Sequence, residues 1–259
     1  MTGTEVLFEV EGGVGIARLN RPEKFNCLSA GVVAGLNAAL DRCEADRQVR
    51  ALVICGEGKN FSTGADLDEV LEARKDKAQL EAFIASGHAM LCRLEASPLP
   101  VLAAVHGLAL AGGLELAMAA DIVFADPAAR LGCQHARYGL LPGWGGTQRL
   151  PRRVGLSRAL ELMYSARWLP ADEALAWGLV NHVSPAGGVR SAALDFARDL
   201  ARKSRTGLAA MKRLARQGLE GPLAAGLALE RAEVVDGLRS ADVSEGLAAF
   251  MARREPDFA

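Results

Sequence analysis

Apolar and polar positions follow two periods along this chain, and the change from one to the other divides it. Val6 to Val10 and Val14 to Leu19 are short β-prone runs joined by Glu11, Gly12 and Gly13, which predicts an opening hairpin. Ser29 then precedes Val32, Val33, Leu36, Leu40 and Cys43, the spacing of one helix face behind an N-cap residue. Continuous apolar runs follow at Ala51 to Cys55, Val101 to Val105 and Ile122 to Ala125. Runs without a polar side predict strands buried on both faces, as in a parallel sheet covered by helices. Between them lie a glycine-containing loop (Gly56 to Gly64), a long helix-compatible segment (Leu67 to Leu94) and a second helix opening near Gly113. Strand and helix in alternation predict an α/β fold with crossover connections.

From Ser157 onward the pattern is helical almost throughout. The expected helices are Ser157 to Tyr164, Ala171 to Trp177, Gly188 to Lys203, Thr206 to Gln217, Pro222 to Leu238 and Asp242 to Arg254, with one apolar piece at Leu179 to Val183. The expected organisation is an α/β core over residues 1–190 and a helical carboxyl-terminal segment over 191–259, with no repeat or low-complexity linker between them. Ala/Leu helix faces without a core of their own must be covered elsewhere, and a subunit interface is the natural destination.

Composition narrows the function. Thirty Lys plus Arg against 31 Asp plus Glu give a net charge of -1, so no overall field draws polyanions and nucleic acid is not expected as a partner. Pro100 to Ala125 has the length of a membrane span, but His106, Glu115 and Asp121 interrupt it, and it reads as buried core. Glutamates and no basic residue in Met1 to Glu11 exclude a recognisable secretory or transit signal, so a cytoplasmic protein is expected. Five scattered cysteines show no metal-site spacing and are expected to be reduced, buried thiols; no metal is expected.

Two glycine turns follow buried strands: Phe61 to Leu67 (FSTGADL) and Ala111 to Leu116 (AGGLEL). Glycine lets backbone approach a ligand closely, so two such turns at neighbouring strand ends can aim two N–H groups at one point and make an oxyanion hole. Tight turns that merely start helices are the alternative. Glu115 shifts the balance, because a carboxylate inside an apolar stretch costs several kcal/mol to bury unless it is paired or has a task. Gly143 to Thr147 lacks the Lys-Ser/Thr pair of a phosphate loop and reads as a tight turn into a helix. His88, His106 and His182 read as structural histidines.

Six segments, in order, carry a resemblance over nearly the whole chain: Leu19 to Leu28 (LNRPEKFNCL), Phe61 to Leu67, Val105 to Ile122 (VHGLALAGGLELAMAADI), Gly139 to Leu150 (GLLPGWGGTQRL), Trp177 to Val183 (WGLVNHV) and Glu245 to Phe258 (EGLAAFMARREPDF). The sequence resembles the crotonase superfamily, the enoyl-CoA hydratases and isomerases. That resemblance implies an α/β spiral of ββα units with a helical carboxyl-terminal segment that trimerises and covers the active site, assembled as a homotrimer or homohexamer. It implies an acyl-CoA thioester as substrate, an enolate held at the thioester carbonyl, and no cofactor beyond the coenzyme A of the substrate.

Carried over by position, the resemblance makes the N–H groups of Ala65 and Gly112 the oxyanion hole and Glu115 the first of two family glutamates. The second glutamate lies seven residues before the proline of the G-x-x-P segment; counting back from Pro142 gives His135. A proton delivered by imidazole would make activity fall as pH rises through about 6.5, the unperturbed value. Lys24 and Phe25 match the segment bordering the nucleotide, Ala65, Asp66 and Leu67 the pantetheine channel, and Trp144 the acyl pocket. Phe250 and Arg253 match positions through which a neighbouring chain holds the adenine and phosphates, although Glu255 stands where the family commonly has Lys. The expected activity is enoyl-CoA hydration or isomerisation. The rivals are decarboxylation of a malonyl-type (ethylmalonyl-CoA-like) thioester, carbon-carbon cleavage of a β-diketone, and a catalytically silent binding or scaffolding subunit.

Overall fold

The computed structural model describes residues 4–258. β1 (Val6–Glu11) and β2 (Val14–Leu19) pair antiparallel from Val6↔Leu19 to Glu11↔Val14, and Gly12 and Gly13 close the hairpin at φ 57° and 77°, a backbone that favours glycine. α1 (Ala30–Ala45) starts where Ser29 Oγ accepts from the Val32 N–H at 3.1 Å. β3 (Ala51–Gly56), α2 (Leu67–Ala73), α3 (Lys77–Ala96), β4 (Val101–Val105), β5 (Leu108–Leu110), α4 (Gly112–Ala119), β6 (Ile122–Ala125) and β7 (Arg130–Gly132) follow. The second half runs α5 (Gly146–Val154), α6 (Leu156–Ser165), β8 (Leu169–Pro170), α7 (Ala171–Ala176), β9 (His182–Val183), α8 (Val189–Ala201), α9 (Arg205–Gly218), α10 (Leu223–Gly237) and α11 (Ala241–Ala252).

The main sheet has the order β1-β2-β3-β4-β6-β9 and is parallel from β2 onward; β5, β7 and β8 form a second, smaller sheet. Alternate side chains of the central strands enter two cores. Leu52, Ile54, Ala103 and Val105 pack towards α1, α3 and α4, while Val53, Cys55, Leu102 and Ala104 pack under α8. Burial on both faces is why these strands read as unbroken apolar runs. Residue 190 lies inside α8, whose Val189, Ala193 and Ala197 cover the sheet.

The long helix expected over Leu67 to Leu94 is two helices. Asp76 turns the chain and caps α3, its side chain accepting from the Gln79 N–H at 2.9 Å. An Asp at this place bonds backbone outside the helix more readily than within it. Four of the five cysteines are buried, and burial pushes the Cys43 thiol up to about 12. Cys92 departs from the expectation: it is exposed on α3. His106 Nε2 meets the Gly58 carbonyl oxygen at 3.1 Å and His182 stacks on Phe124, whereas His88 is exposed and has no hydrogen bond among the described residues.

α9 is fastened to the core by charge. Lys212 Nζ donates to the Leu94 and Leu99 carbonyls at 3.0 and 2.9 Å and pairs with Asp121 at 2.7 Å, and Arg216 reaches the same carboxylate at 2.8 Å. Among the described residues no helix is long and apolar enough to cross a membrane, and no cluster of side chains could hold a metal ion.

Candidate active site

The first glycine turn is pinned from both sides. Ser62 N–H donates to the Leu108 carbonyl and the Ser62 carbonyl accepts from Leu110, both at 3.0 Å, so the strand-like segment after β3 runs beside β5. Leu28 N–H donates to the Gly64 carbonyl at 2.7 Å and Asp66 N–H to the Leu28 carbonyl at 3.0 Å. These bonds straddle Ala65 and leave its own N–H on the opposite side, without an acceptor among the described residues.

The second donor comes from a helix start. Ala111 N–H donates to the Gly132 carbonyl at 2.9 Å, and the first helical bond of α4 is Glu115 N–H to the Ala111 carbonyl at 3.0 Å. Gly112, the first residue of α4, therefore has a free N–H at the positive end of the helix. A β-carbon on Gly112 would lie 3.2 Å from the Ala65 nitrogen, and one on Gly64 would lie 3.0 Å from the Gly112 nitrogen. The two free N–H groups thus flank one point, and only glycine leaves it open. Ala111 adopts φ 49° and ψ -118°, a left-handed backbone that costs a non-glycine residue about 1–3 kcal/mol.

One turn into α4, the Glu115 side chain is 2% exposed. Its Oε1 accepts from the Trp144 N–H at 2.9 Å and the Gly146 N–H at 2.7 Å; no protein donor among the described residues reaches Oε2. Burial raises the Glu115 pKa above the usual carboxylate value, and the two N–H donors and the charge of Arg149 only partly offset it. His135 opens the short turn His135–Tyr138, half-buried, with Nδ1 3.4 Å from the Cys133 sulfur. Burial lowers its pKa and favours the neutral ring, so a fall of activity as an imidazolium loses its proton is expected below pH 6.5 and not at it.

These groups share a cleft of about 860 Å³. Lys24, Phe25, Ala65, Asp66, Leu67, Gly112, Glu115, His135 and Trp144 all line it. Lys24 pairs with Asp68 at 2.7 Å, and Phe25 is exposed. Asp66 also braces the loop: it caps α2 by accepting from the Asp68 N–H at 3.0 Å, pairs with Arg21 at 2.8 Å and accepts from the Cys27 thiol at 3.4 Å. Burial alone would raise its pKa; the Arg21 hydrogen bond, with those of Cys27 and Asp68, brings it below the ordinary value. Trp144 lies across the inner wall, its benzene edge against Gly112 and its pyrrole edge against Gly87 of α3, with Phe83 5.6 Å away between ring centroids.

Phe250 and Arg253 do not line the cleft of their own chain; both are exposed at the end of α11. Conversely Phe83 and Ile84 of α3, Leu140, Leu141 and Trp168 line it without having been singled out in the sequence. Exposure of Leu140 and Leu141 explains their presence in the sequence: two adjacent leucines in a turn, GLLPG, are a wall and not a core.

The sheet and its helical cover, with two free N–H groups beside a buried carboxylate, have the architecture of the crotonase fold. A family model described as enoyl-CoA hydratase/isomerase matches residues 9–259, and the chain belongs to that enzyme family. The human protein named methylglutaconyl-CoA hydratase, mitochondrial, is 37% identical over 257 residues, covering 97% of this chain and 75% of its own. A Bacillus subtilis (strain 168) protein named "Probable enoyl-CoA hydratase" is 38% identical over 252 residues, 96% of each chain. The crystal structure of an enoyl-CoA hydratase from Bacillus anthracis superposes with a TM-score of 0.94 at 32% identity, covering 98% of each chain.

Proposed function

We propose that this chain adds water to a 2-enoyl-CoA thioester, with Ala65, Gly112 and Glu115 as its catalytic groups. The observation that carries the reading is Glu115: Oε1 is tied down by two backbone N–H groups while Oε2 is left for chemistry beside the two free N–H groups. As a carboxylate, Glu115 takes a proton from water while the oxygen bonds to the β-carbon. Electrons move onto the thioester oxygen, where each fixed N–H contributes about 3 kcal/mol in comparable holes. The carboxylic acid then returns the proton to the α-carbon, so one water is added and Glu115 is regenerated. A raised pKa suits both halves, because neither protonation state is then far out of reach at neutral pH.

Coenzyme A is proposed to lie along Lys24, Phe25, Asp66 and Leu67, with Phe250 and Arg253 supplied by a neighbouring chain of a trimer or hexamer built on residues 191–259. No other organic group or metal takes part in this scheme. Incubation with crotonyl-CoA tests it: mass spectrometry should detect a product heavier by one water, and Glu115→Gln should slow its formation at least ~100-fold. A wild-type chain that leaves crotonyl-CoA and longer 2-enoyl-CoA esters unchanged would refute hydration.

A second reading has its own observation. His135, neutral where family hydratases carry a carboxylate, leaves Glu115 as the one acid between the N–H pair and Trp144. That lowers the repulsion felt by a malonyl-type thioester, and release of carbon dioxide from ethylmalonyl-CoA would support decarboxylation instead.

A further inference from the structure

Behind His135, away from the cleft, lies a contact the scheme above does not use. Cys133 is buried, and its sulfur is 3.4 Å from Nδ1 of His135. The sulfur has one proton of its own to place. Burial drives the thiol up to about 11, so that proton stays on sulfur through the neutral range. Among the described residues Nδ1 is the one side-chain acceptor within its reach. A neutral imidazole carries a single N–H, so a ring whose Nδ1 accepts must carry its proton on Nε2.

We propose that Cys133 is a positioning residue: its thiol donates to Nδ1 and holds His135 in the Nε2–H tautomer, so the ring offers the cleft a hydrogen-bond donor and not a base. The consequence rests on the hydratase reading. Glu115 is then the one group that exchanges protons with substrate, and His135 holds an oxygen, either of the attacking water or of the acyl group. A weak donor such as a thiol is sufficient for this, because it has only to bias two tautomers of similar energy.

Protein labelled with [15N]histidine reads the tautomer directly by two-bond proton–nitrogen correlation, since the chain has only four histidines and His135→Gln assigns the signal. Wild type and Cys133→Ser should both show Nε2 protonated and Nδ1 bare. Cys133→Ala should move the tautomer ratio towards Nδ1–H by about fivefold, the effect of one ordinary hydrogen bond. Turnover of crotonyl-CoA should drop by a similar factor in Cys133→Ala and recover in Cys133→Ser. An Nδ1–H tautomer in wild type, or a Cys133→Ala spectrum identical to it, overturns the proposal. A shifted tautomer with unchanged kcat overturns its catalytic half. The expected spectra in a protein inert towards every enoyl-CoA would support the tautomer and overturn the hydratase reading.

Discussion

Gly87 of α3 is remote from the reacting groups in sequence, yet replacing it with alanine should change both stability and turnover in a direction set by Trp144. In an open helix, glycine to alanine gains about 1 kcal/mol from backbone entropy. Here the new methyl would overlap the pyrrole edge of the Trp144 indole. That ring has no easy retreat, because its other edge meets Gly112, Phe83 lies tilted beside it, and its backbone N–H is held by Glu115. Overpacking of this kind costs about 1–3 kcal/mol, so the clash outweighs the helix gain and Gly87→Ala should be destabilising by up to about 2 kcal/mol. Trp144→Ala costs about 3–5 kcal/mol by itself but empties the space. In that background Gly87→Ala should become stabilising, by about 1 kcal/mol. Urea midpoints of the four proteins, taken at one protein concentration so that assembly does not shift them, measure the cycle. A Gly87→Ala effect of the same sign in both backgrounds would refute the packing argument. The single variant should also lose activity on crotonyl-CoA, since an indole driven towards Gly112 closes the space beside the N–H pair.

Glu115→Gln should lower kcat at least ~100-fold while keeping both backbone hydrogen bonds. It should also be relatively more stable as pH rises: a folded pKa above the unfolded value gives stability that is present below about 4.3 and lost as pH climbs through the folded pKa, and glutamine escapes that loss. Urea midpoints across acid and neutral pH that differ by a constant would contradict it. His135→Glu exchanges the ring's donor for the second carboxylate of family hydratases, a proton carrier in its own right, and should keep or raise crotonyl-CoA hydration while His135→Ala lowers it; on a malonyl-type thioester the new carboxylate should be the more harmful change, and equal wild-type rates for both on every substrate would make the ring structural. Sedimentation should show a trimer or hexamer, because Leu223, Leu227, Val235, Phe250 and Met251 leave an apolar surface exposed on one chain; a stable monomer at micromolar concentration would rule it out.

What could be read from the sequence was what depends on one segment at a time. The hairpin, the Ser29 cap and the three central strands follow from local patterning, and the two glycine turns follow from the need for open backbone near one point. The break between α2 and α3 was legible only in Asp76 and Gln79, a capping pattern inside a run with no glycine or proline at the turn. Strands β5, β7, β8 and β9 are two or three residues long, too short for any alternation to register. Long-range contacts left no local trace: nothing near Trp144 announces Gly87, and nothing near Cys133 says that its thiol faces the imidazole two residues on.

The hydrogen bonds to Glu115 Oε1 make the base of the proposed reaction also the clasp of a loop. Trp144 and Gly146 hang from one oxygen of it, so the wall of the acyl pocket and the start of α5 are hooked to the group that handles the proton. Chemistry and architecture are therefore not separable at this position. Alanine there would remove the base and unhook the wall in one stroke, and a shorter carboxylate would draw the loop inward after it. A change at residue 115 is penalised twice, once in rate and once in shape, whereas the His135 ring makes no hydrogen bond to that loop among the described residues.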